Sequence, residues 1–500
     1  MQPRLISVEE IIKHSSADDL WLVVDDTVYN VTAFAPEHPG GINILLQYAG
    51  GDATKAYSAV HSASLIKTTL PPSCHVGRLD TGTITESWKR GAEKQDPRSA
   101  RQEETPKPPL DGLICARNFE QAAERSFTPK AWAFASSAAT DCLTRDRNRL
   151  AYQSIGLRPR ALRDVRAVDR SASMLGHATK SPVFCSATSM GKMFHPQGER
   201  EIGRACRGLG IPQMVSTSAS FPFGEIADAH REEEGSDNER PPLFFQLYMN
   251  KDRAKSAAQL REVAARGAKA VFLTVDAPVT GKREADERIK ADESVASPMT
   301  GLHAKNDSKG GALGRIMGSF IDPSTTWGDI SWIRECVGPD VPVVLKGVQT
   351  AADAVAAMHA GVDGILLSNH GGRSLDTAPA TVLVLLELQK CCPEVFDRLE
   401  VYVDGGISRG TDIFKALCLG AKAVGIGRGV LYGLNYGKEG IEKYVHVLND
   451  ELETTMRMCG VTSLDQVHPG LVNTGAVDHL IPTGEDHPYA KWRPKVKSRL

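Results

Sequence analysis

Between about residue 111 and residue 480 the chain repeats one pattern: a short apolar run, then polar, glycine or charged residues, then a stretch of helical periodicity. The apolar runs fall at 183–187, 213–216, 243–247, 270–275, 342–345, 363–367, 400–403 and 422–426. Strands alternating with helices predict βα units around a parallel sheet. Eight units are the count of a closed (β/α)8 barrel, an α/β fold whose chemistry sits at the C-terminal ends of its strands. The residues that follow the runs are Thr188-Ser189, Thr217, Tyr248, Asp276, Lys346, His370 to Arg373, Asp404-Gly405-Gly406 and Gly427-Arg428. Polar groups at all eight ends favour the barrel over an open doubly wound sheet.

Two of those ends have the makings of a phosphate site. Gly425-Ile426-Gly427-Arg428-Gly429 superficially matches a dinucleotide fingerprint but lacks its strand–helix–acid context. After an eighth barrel strand it predicts half of a phosphate cradle, with Asp404-Gly405-Gly406 and Arg409 after strand seven as the other half. One terminal phosphate suits a mononucleotide. Between strands four and five, a charged and glycine-rich portion from 282 to 314 is expected to form a mobile excursion over the mouth of the site.

The segment 364–376 narrows the chemistry. Its apolar start delivers a base, His370, and a fixed cation, Arg373, separated by Gly371 and Gly372, whose bare backbone allows close approach to a flat ligand. A base beside a carboxylate-binding guanidinium suits proton removal from a small 2-hydroxy acid.

Residues 1–80 form a separate small α/β-looking unit, in which two β-rich runs flank Asp25-Asp26-Thr27, a hairpin signal. Glu37-His38-Pro39-Gly40-Gly41 is followed 23 positions later by His61. Two histidines on separate loops can clamp an iron from opposite faces, with Phe34, Leu45, Leu46 and Tyr57 as candidate walls for a porphyrin. A doubly ligated iron favours electron transfer over oxygen binding. Zinc is a weaker reading, since no Cys or further His has suitable spacing. Residues 81–110 are rich in Lys, Glu, Gln, Pro and Ser and poor in large apolar groups, the composition of a mobile linker. Residues 481–500 read as a tail.

Composition excludes several function classes. With 59 basic against 61 acidic residues, nothing global points to nucleic acid or an anionic membrane. No apolar run approaches bilayer length, so a soluble protein is expected. Ten scattered cysteines show neither a disulfide framework nor a zinc spacing, which fits a reducing compartment.

Residues 5–80 resemble a cytochrome b5-type haem domain through His38-Pro39-Gly40-Gly41 and His61. Residues 111–480 resemble the FMN-dependent 2-hydroxy acid dehydrogenase and oxidase family. The matching motifs are Ser186-Ala187-Thr188, Gln246-Leu247-Tyr248, Thr274-Val275-Asp276-Ala277-Pro278, Lys346-Gly347, Ser368 to Arg373, Asp404-Gly405-Gly406 and Gly427-Arg428. The order haem domain, linker, flavin barrel is that of the cytochrome-linked L-lactate dehydrogenases. This resemblance implies FMN and haem b as cofactors, an L-2-hydroxy acid (foremost L-lactate) as substrate and a cytochrome-type acceptor. It also implies a homotetramer, as barrels of this family commonly form.

Roles follow from the same resemblance. His370 would accept the substrate proton, and Asp276 would stabilise the resulting imidazolium. Arg373 would clamp the substrate carboxylate with help from Arg283, and Tyr248 would bond its hydroxyl. Lys346 would sit where negative charge accumulates on the reduced flavin. Ala187, Thr188, Ser189, Ser216, Gln246, Thr274 and Ser368 would contact the flavin ring or ribityl chain. Asp404, Gly405, Gly406, Arg409, Gly427 and Arg428 would surround its phosphate end, and His38 and His61 would ligate the haem iron.

One position breaks the pattern. Where the family places a tyrosine that donates to the substrate carboxylate, this chain has Phe134, within Ala131-Trp132-Ala133-Phe134-Ala135. A neutral donor to a charged acceptor contributes roughly 1.5–3 kcal/mol, so Phe134 is expected either to weaken lactate recognition or to accommodate a less polar substrate. Two other functions compete. One is a peroxisomal 2-hydroxy acid oxidase that makes hydrogen peroxide; the other is a non-catalytic haem-binding electron-transfer protein. The ending Ser498-Arg499-Leu500 resembles a peroxisomal address. With no mitochondrial presequence visible, a cytoplasmic location is the alternative.

Overall fold

The structure is a computed structural model that describes residues 4–38, 42–61, 65–85, 88, 107–232, 240–293, 295–311 and 313–482. Eight parallel strands close into a barrel: Val183–Thr188, Gln213–Ser216, Leu243–Leu247, Val271–Thr274, Val343–Val348, Gly364–Leu367, Glu400–Asp404 and Ala423–Ile426. Each pairs with its sequence neighbour, and the eighth pairs with the first. All eight expected strands are present. They are legible because a strand buried on both faces carries apolar residues throughout.

Side-chain alternation then divides each strand between two environments. Phe184, Met214, Phe244, Phe272, Val344, Leu366, Tyr402 and Ala423, one from each strand, fill the barrel interior, with Met174 closing it. The intervening residues, such as Val215, Phe245, Leu273 and Leu345, pack outward against the helices. Fully burying each large interior side chain stabilises the fold by about 1.5–3 kcal/mol. Two residues further along each strand, on the same inward face, come Ser186, Ser216, Gln246, Thr274, Lys346, Ser368, Asp404 and Gly425. The apolar floor and the polar layer above it are thus one alternation read at successive heights.

The N-terminal unit is a five-stranded sheet in the spatial order Leu5–Ile6, His75–Leu79, Thr27–Asn30, Asp19–Val24, Ser15–Ser16. The expected hairpin turns through Asp25 and Asp26, whose φ values of 49° and 57° place both in the left-handed region that two-residue turns of this kind require. Leu22 and Val24 face one core with Tyr29 and Val31, whereas Val23 faces a second with Ile6, Val8 and Val28.

The described ends of the 81–110 segment differ from an unattached linker. Trp88 is buried in the second core, and its indole N–H donates to the Gly50 carbonyl at 3.0 Å. At the far end, the Lys107 amine donates to the Asn435 carbonyl at 2.7 Å and the Tyr436 hydroxyl to the Pro108 carbonyl at 2.7 Å. Residues 89–106 and 483–500, with the C-terminal tripeptide, lie outside the described residues. None of the ten cysteines forms a disulfide. No helix among the described residues is long and apolar enough to cross a membrane.

Candidate active site

Above the polar layer lies a cavity of about 990 Å³ at the C-terminal ends of the strands. The expected residues Phe134, Ala187, Thr188, Ser189, Ser216, Gln246, Tyr248, Thr274, Arg283, Lys346, His370, Arg373, Asp404, Gly405, Gly406, Arg409, Gly427 and Arg428 all line it. Asp276 and Ser368 do not. Asp276 stands behind His370, as a supporting carboxylate would. Ser368 was expected at the flavin; instead it is fully buried, accepting from the Lys346 amine at 3.1 Å and from the His370 backbone N–H at 3.1 Å.

At one end of the cavity, His370 Nδ1 lies 2.9 Å from Asp276 Oδ1, and the Tyr248 hydroxyl lies 3.2 Å from His370 Nε2. A carboxylate acceptor fixes the proton on Nδ1, which leaves Nε2 as the acceptor facing the cavity. Burial opposes ionisation of Asp276, but Lys346 (Nζ to Oδ2 3.3 Å) and His370 outweigh it and hold the carboxyl at about 2. For His370, burial dominates over Asp276 and lowers the imidazole below its ordinary range, so the ring rests neutral, as a base must. Burial, then the Asp276 charge, raises the Tyr248 phenol well above its usual value, so it remains a donor.

Backbone geometry makes this possible. Strand five carries a bulge at Gly347 (φ 111°), where a Cβ would lie 2.7 Å from the Asp276 backbone nitrogen. After strand six the chain turns through left-handed His370 (φ 59°). Asn369 and Asn148 exchange amide bonds of 2.9 and 2.8 Å, holding that turn against the helix Leu143–Ser154. Gly372 (φ 80°) packs so closely there that a Cβ would lie 2.5 Å from the Arg145 nitrogen. Sequence reading missed Asn148, an ordinary polar position on a helix.

Facing His370 is a cationic wall. Thr128 caps and Pro129 begins the helix Pro129–Ser136, which carries Phe134. The guanidinium carbons of Arg283 and Arg373 lie 4.9 and 5.1 Å from the Phe134 ring centre. Arg283 has Asp286 at 3.9 Å. Among the described residues no carboxylate pairs with Arg373. Burial, then Arg283 and Arg428, depresses its affinity for a proton, the condition of a cation awaiting an anion.

The floor and far end suit an elongated ligand with one phosphate. Ser216 donates to the Gln246 amide oxygen at 3.1 Å, and the Gln246 amide nitrogen donates to Thr274 Oγ1 at 3.0 Å. Buried Asp404 Oδ1 has no partner among the described residues, and a Cβ on Gly427 would meet nothing within 4 Å. Arg428 donates Nε, Nη1 and Nη2 to the carbonyls of Ala135 (3.1 Å), Gly371 (3.0 Å) and Ser137 (3.0 Å), leaving two of its five N–H groups. Arg409 pairs with Glu451 at 2.7 Å while still lining the cavity. These donors, the bare glycine backbone and buried Lys346 fit FMN.

A second cavity, about 260 Å³, lies in the N-terminal unit. His38 and His61 line it among Leu22, Val24, Phe34 and Leu45, with Tyr57 also in the wall. Leu46 does not line it but packs against the adjacent core. The two imidazole centres are 6.4 Å apart, a gap that admits one metal ion bonded at about 2 Å to a nitrogen of each ring. Burial, then His38, His303 and Lys192, pushes His61 down to about 4, so it is neutral and free to ligate. An apolar slot with two imidazoles, His61 held neutral, fits haem b. The excursion was expected over the barrel mouth, where Arg283 and Gly314 do lie, yet its Gly301 and His303 line this haem cavity instead.

Comparisons with known proteins agree with this geometry. Residues 123–474 match the model of the FMN-dependent dehydrogenase family, and residues 7–80 that of the cytochrome b5-like haem/steroid binding domain. The chain is 38% identical to an L-lactate dehydrogenase (cytochrome) of Wickerhamomyces anomalus, covering 98% of this chain and 86% of that one. It is 39% identical to its namesake in Saccharomyces cerevisiae, covering 95% and 80%. It is 35% identical to 2-hydroxyacid oxidase 1 of Homo sapiens, covering 73% and 97%. A solved flavocytochrome b2 mutant with pyruvate bound superposes with a TM-score of 0.65 at 40% identity, covering 74% of this chain and 89% of that one. The chain therefore belongs to the FMN-dependent dehydrogenase family, in the form that carries a cytochrome b5-like domain ahead of its barrel.

Proposed function

We propose that this protein oxidises an L-2-hydroxy acid, foremost L-lactate, to the 2-oxo acid using FMN, and passes the electrons through haem b to a cytochrome-type acceptor. The observation that carries this reading is the His370–Asp276 dyad, its Nε2 beside the Tyr248 hydroxyl at the cavity, in one cavity with an Arg373 that has no carboxylate partner among the described residues. Bound FMN supplies a two-electron acceptor, and bound haem a one-electron relay.

The chain's residues do the rest. Arg373 and Arg283 hold the substrate carboxylate, which orients the reacting carbon. Tyr248 donates to the substrate hydroxyl. His370 Nε2 takes the substrate proton, and Asp276, already bonded to Nδ1, stabilises the imidazolium that forms. Lys346 places a fixed positive charge at the cavity floor. Ala187, Thr188, Ser189, Ser216, Gln246 and Thr274 would hold the flavin, and Gly405, Gly406, Gly427, Arg409 and Arg428 would surround its phosphate. His38 and His61 would ligate the haem iron. Residues 1–80 form the haem domain, 81–110 the linker and 111–480 the flavin barrel. A homotetramer completes it on family grounds.

Stopped-flow absorbance of the holoenzyme with L-lactate, glycolate and longer 2-hydroxy acids tests the reading. Flavin bleaching followed by haem reduction is expected. Rapid hydrogen peroxide formation without haem reduction would assign the protein to the oxidases instead. No bleaching by any acid would overturn an enzymatic role. His370→Ala is expected to keep both cofactor spectra and lose bleaching by substrate.

A further inference from the structure

The two cavities are joined by a short, firmly held piece of chain. Strand one ends at the barrel cavity with Ala187 and Thr188, and Ser189 follows it there. Just beyond, Gly191–Met193 forms a single tight turn. Buried Glu199 accepts from the Gly191 N–H at 2.8 Å and the Ser220 N–H at 3.0 Å, while Ser220 Oγ accepts from the Lys192 N–H at 3.1 Å. No side chain fits at Gly191, because a Cβ there would lie 2.8 Å from Glu199.

From this turn the Lys192 side chain runs over the Phe221 ring, with its amine 4.3 Å from the ring centre. It then donates to the His61 carbonyl at 2.8 Å. His61 closes the helix Thr54–Val60, its own N–H bonded to the Tyr57 carbonyl at 2.8 Å. A half-buried lysine ordinarily packs its stem on apolar surface and keeps its charged head in water. Here the amine donates to a main-chain oxygen, that of an iron-ligand residue. A strongly hydrated point charge held there suits docking rather than surface solvation.

We propose that Lys192 is a positioning residue for electron transfer between the cavities: it fastens the ligand-bearing end of the haem domain to the turn leaving the flavin cavity. The inference rests on the function proposed above. For each acid oxidised, two electrons cross one at a time. Each makes one ferric iron ferrous, and an external one-electron acceptor reoxidises the iron between transfers. Holding the two cofactors in one relative placement sets the rate of that crossing.

The test uses the full-length holoenzyme and Lys192→Met, which keeps the stem over Phe221 and removes the donor. Flavin is reduced by L-lactate and, independently of any substrate, by deazaflavin photoreduction. Haem reduction is expected to slow by about tenfold or more, the order of loss that small misplacements produce, while flavin reduction and the haem spectrum stay as in the wild type. Lys192→Arg, with a cation and donor retained, is expected to restore the rate to within about twofold, since a surviving hydrogen bond limits the loss. Hydrogen–deuterium exchange, read on protein without cofactors as well, is expected to rise in 54–61 for Lys192→Met and not in the strand 19–24. Haem reduction at the wild-type rate with unchanged exchange would overturn the proposal. So would equal slowing in Lys192→Arg, or loss of flavin photoreduction. Failure of L-lactate alone, with normal photoreduction kinetics, would count against the substrate and not against Lys192.

Discussion

Asp276→Asn isolates the charge behind the base. The amide oxygen can still accept from His370 Nδ1 at the 2.9 Å separation seen here, so the ring keeps its tautomer and place. What disappears is the negative charge facing the imidazolium formed when His370 takes the substrate proton. With charge centres about 4 Å apart and an effective dielectric constant near 20, that attraction is about 4 kcal/mol; a hydrogen bond to a charged group, measured by mutation, contributes roughly 1.5–3 kcal/mol. A loss of about 2–4 kcal/mol at roughly 1.4 kcal/mol per tenfold corresponds to a fall of about 30- to 1,000-fold in the rate of flavin reduction. The assay is single-turnover bleaching at saturating L-lactate, with FMN content measured in parallel because Lys346 loses a carboxylate 3.3 Å away and keeps Ser368. Asp276 also raises the proton affinity of His370, so its removal should move the acid inflection to lower pH. A rate within about threefold of wild type, with FMN retained, or an inflection moved to higher pH, would refute the argument.

Three further outcomes are expected. In the wild type, flavin reduction per substrate bound should rise with pH through an inflection below the ordinary imidazole range and then level off, because burial favours the neutral imidazole and protonation removes the base; an inflection above that range would contradict this. Phe134→Tyr should lower KM for L-lactate by about 10- to 100-fold, the worth of one added donor to a carboxylate. An unchanged KM would mean that the ring does not face the substrate. His38→Ala should abolish the haem absorbance while substrate still bleaches the flavin, and retained haem would remove His38 from the ligand set.

Much of the architecture was legible because it is periodic. Each barrel strand announces itself by an apolar run ending in a polar group, and His370, Arg373, Lys346 and Asp404 stand at those ends. Ser368 shows the limit of that reading. Its neighbour His370 faces the cavity, but the turn between them sends Ser368 behind Lys346, and composition does not encode the turn. Trp88 lies in a stretch whose average is linker-like, so one buried indole was hidden by its polar neighbours. Contacts such as Asn148 with Asn369, or His303 at the haem cavity, join residues remote in sequence and leave no local pattern.

Arg428 welds three carbonyls, two bracketing the Phe134 helix end and one inside the His-Gly-Gly-Arg turn, into a single block. One flank of the reaction chamber is therefore machined as a jig with the base at its edge. Met317 and Ile321 also line the chamber, and their apolar side chains carry no donor to tie them to that block. Changes of substrate preference in a chain built this way can be sought at those two side chains, which stand apart from the hydrogen bonds that seat the proton acceptor.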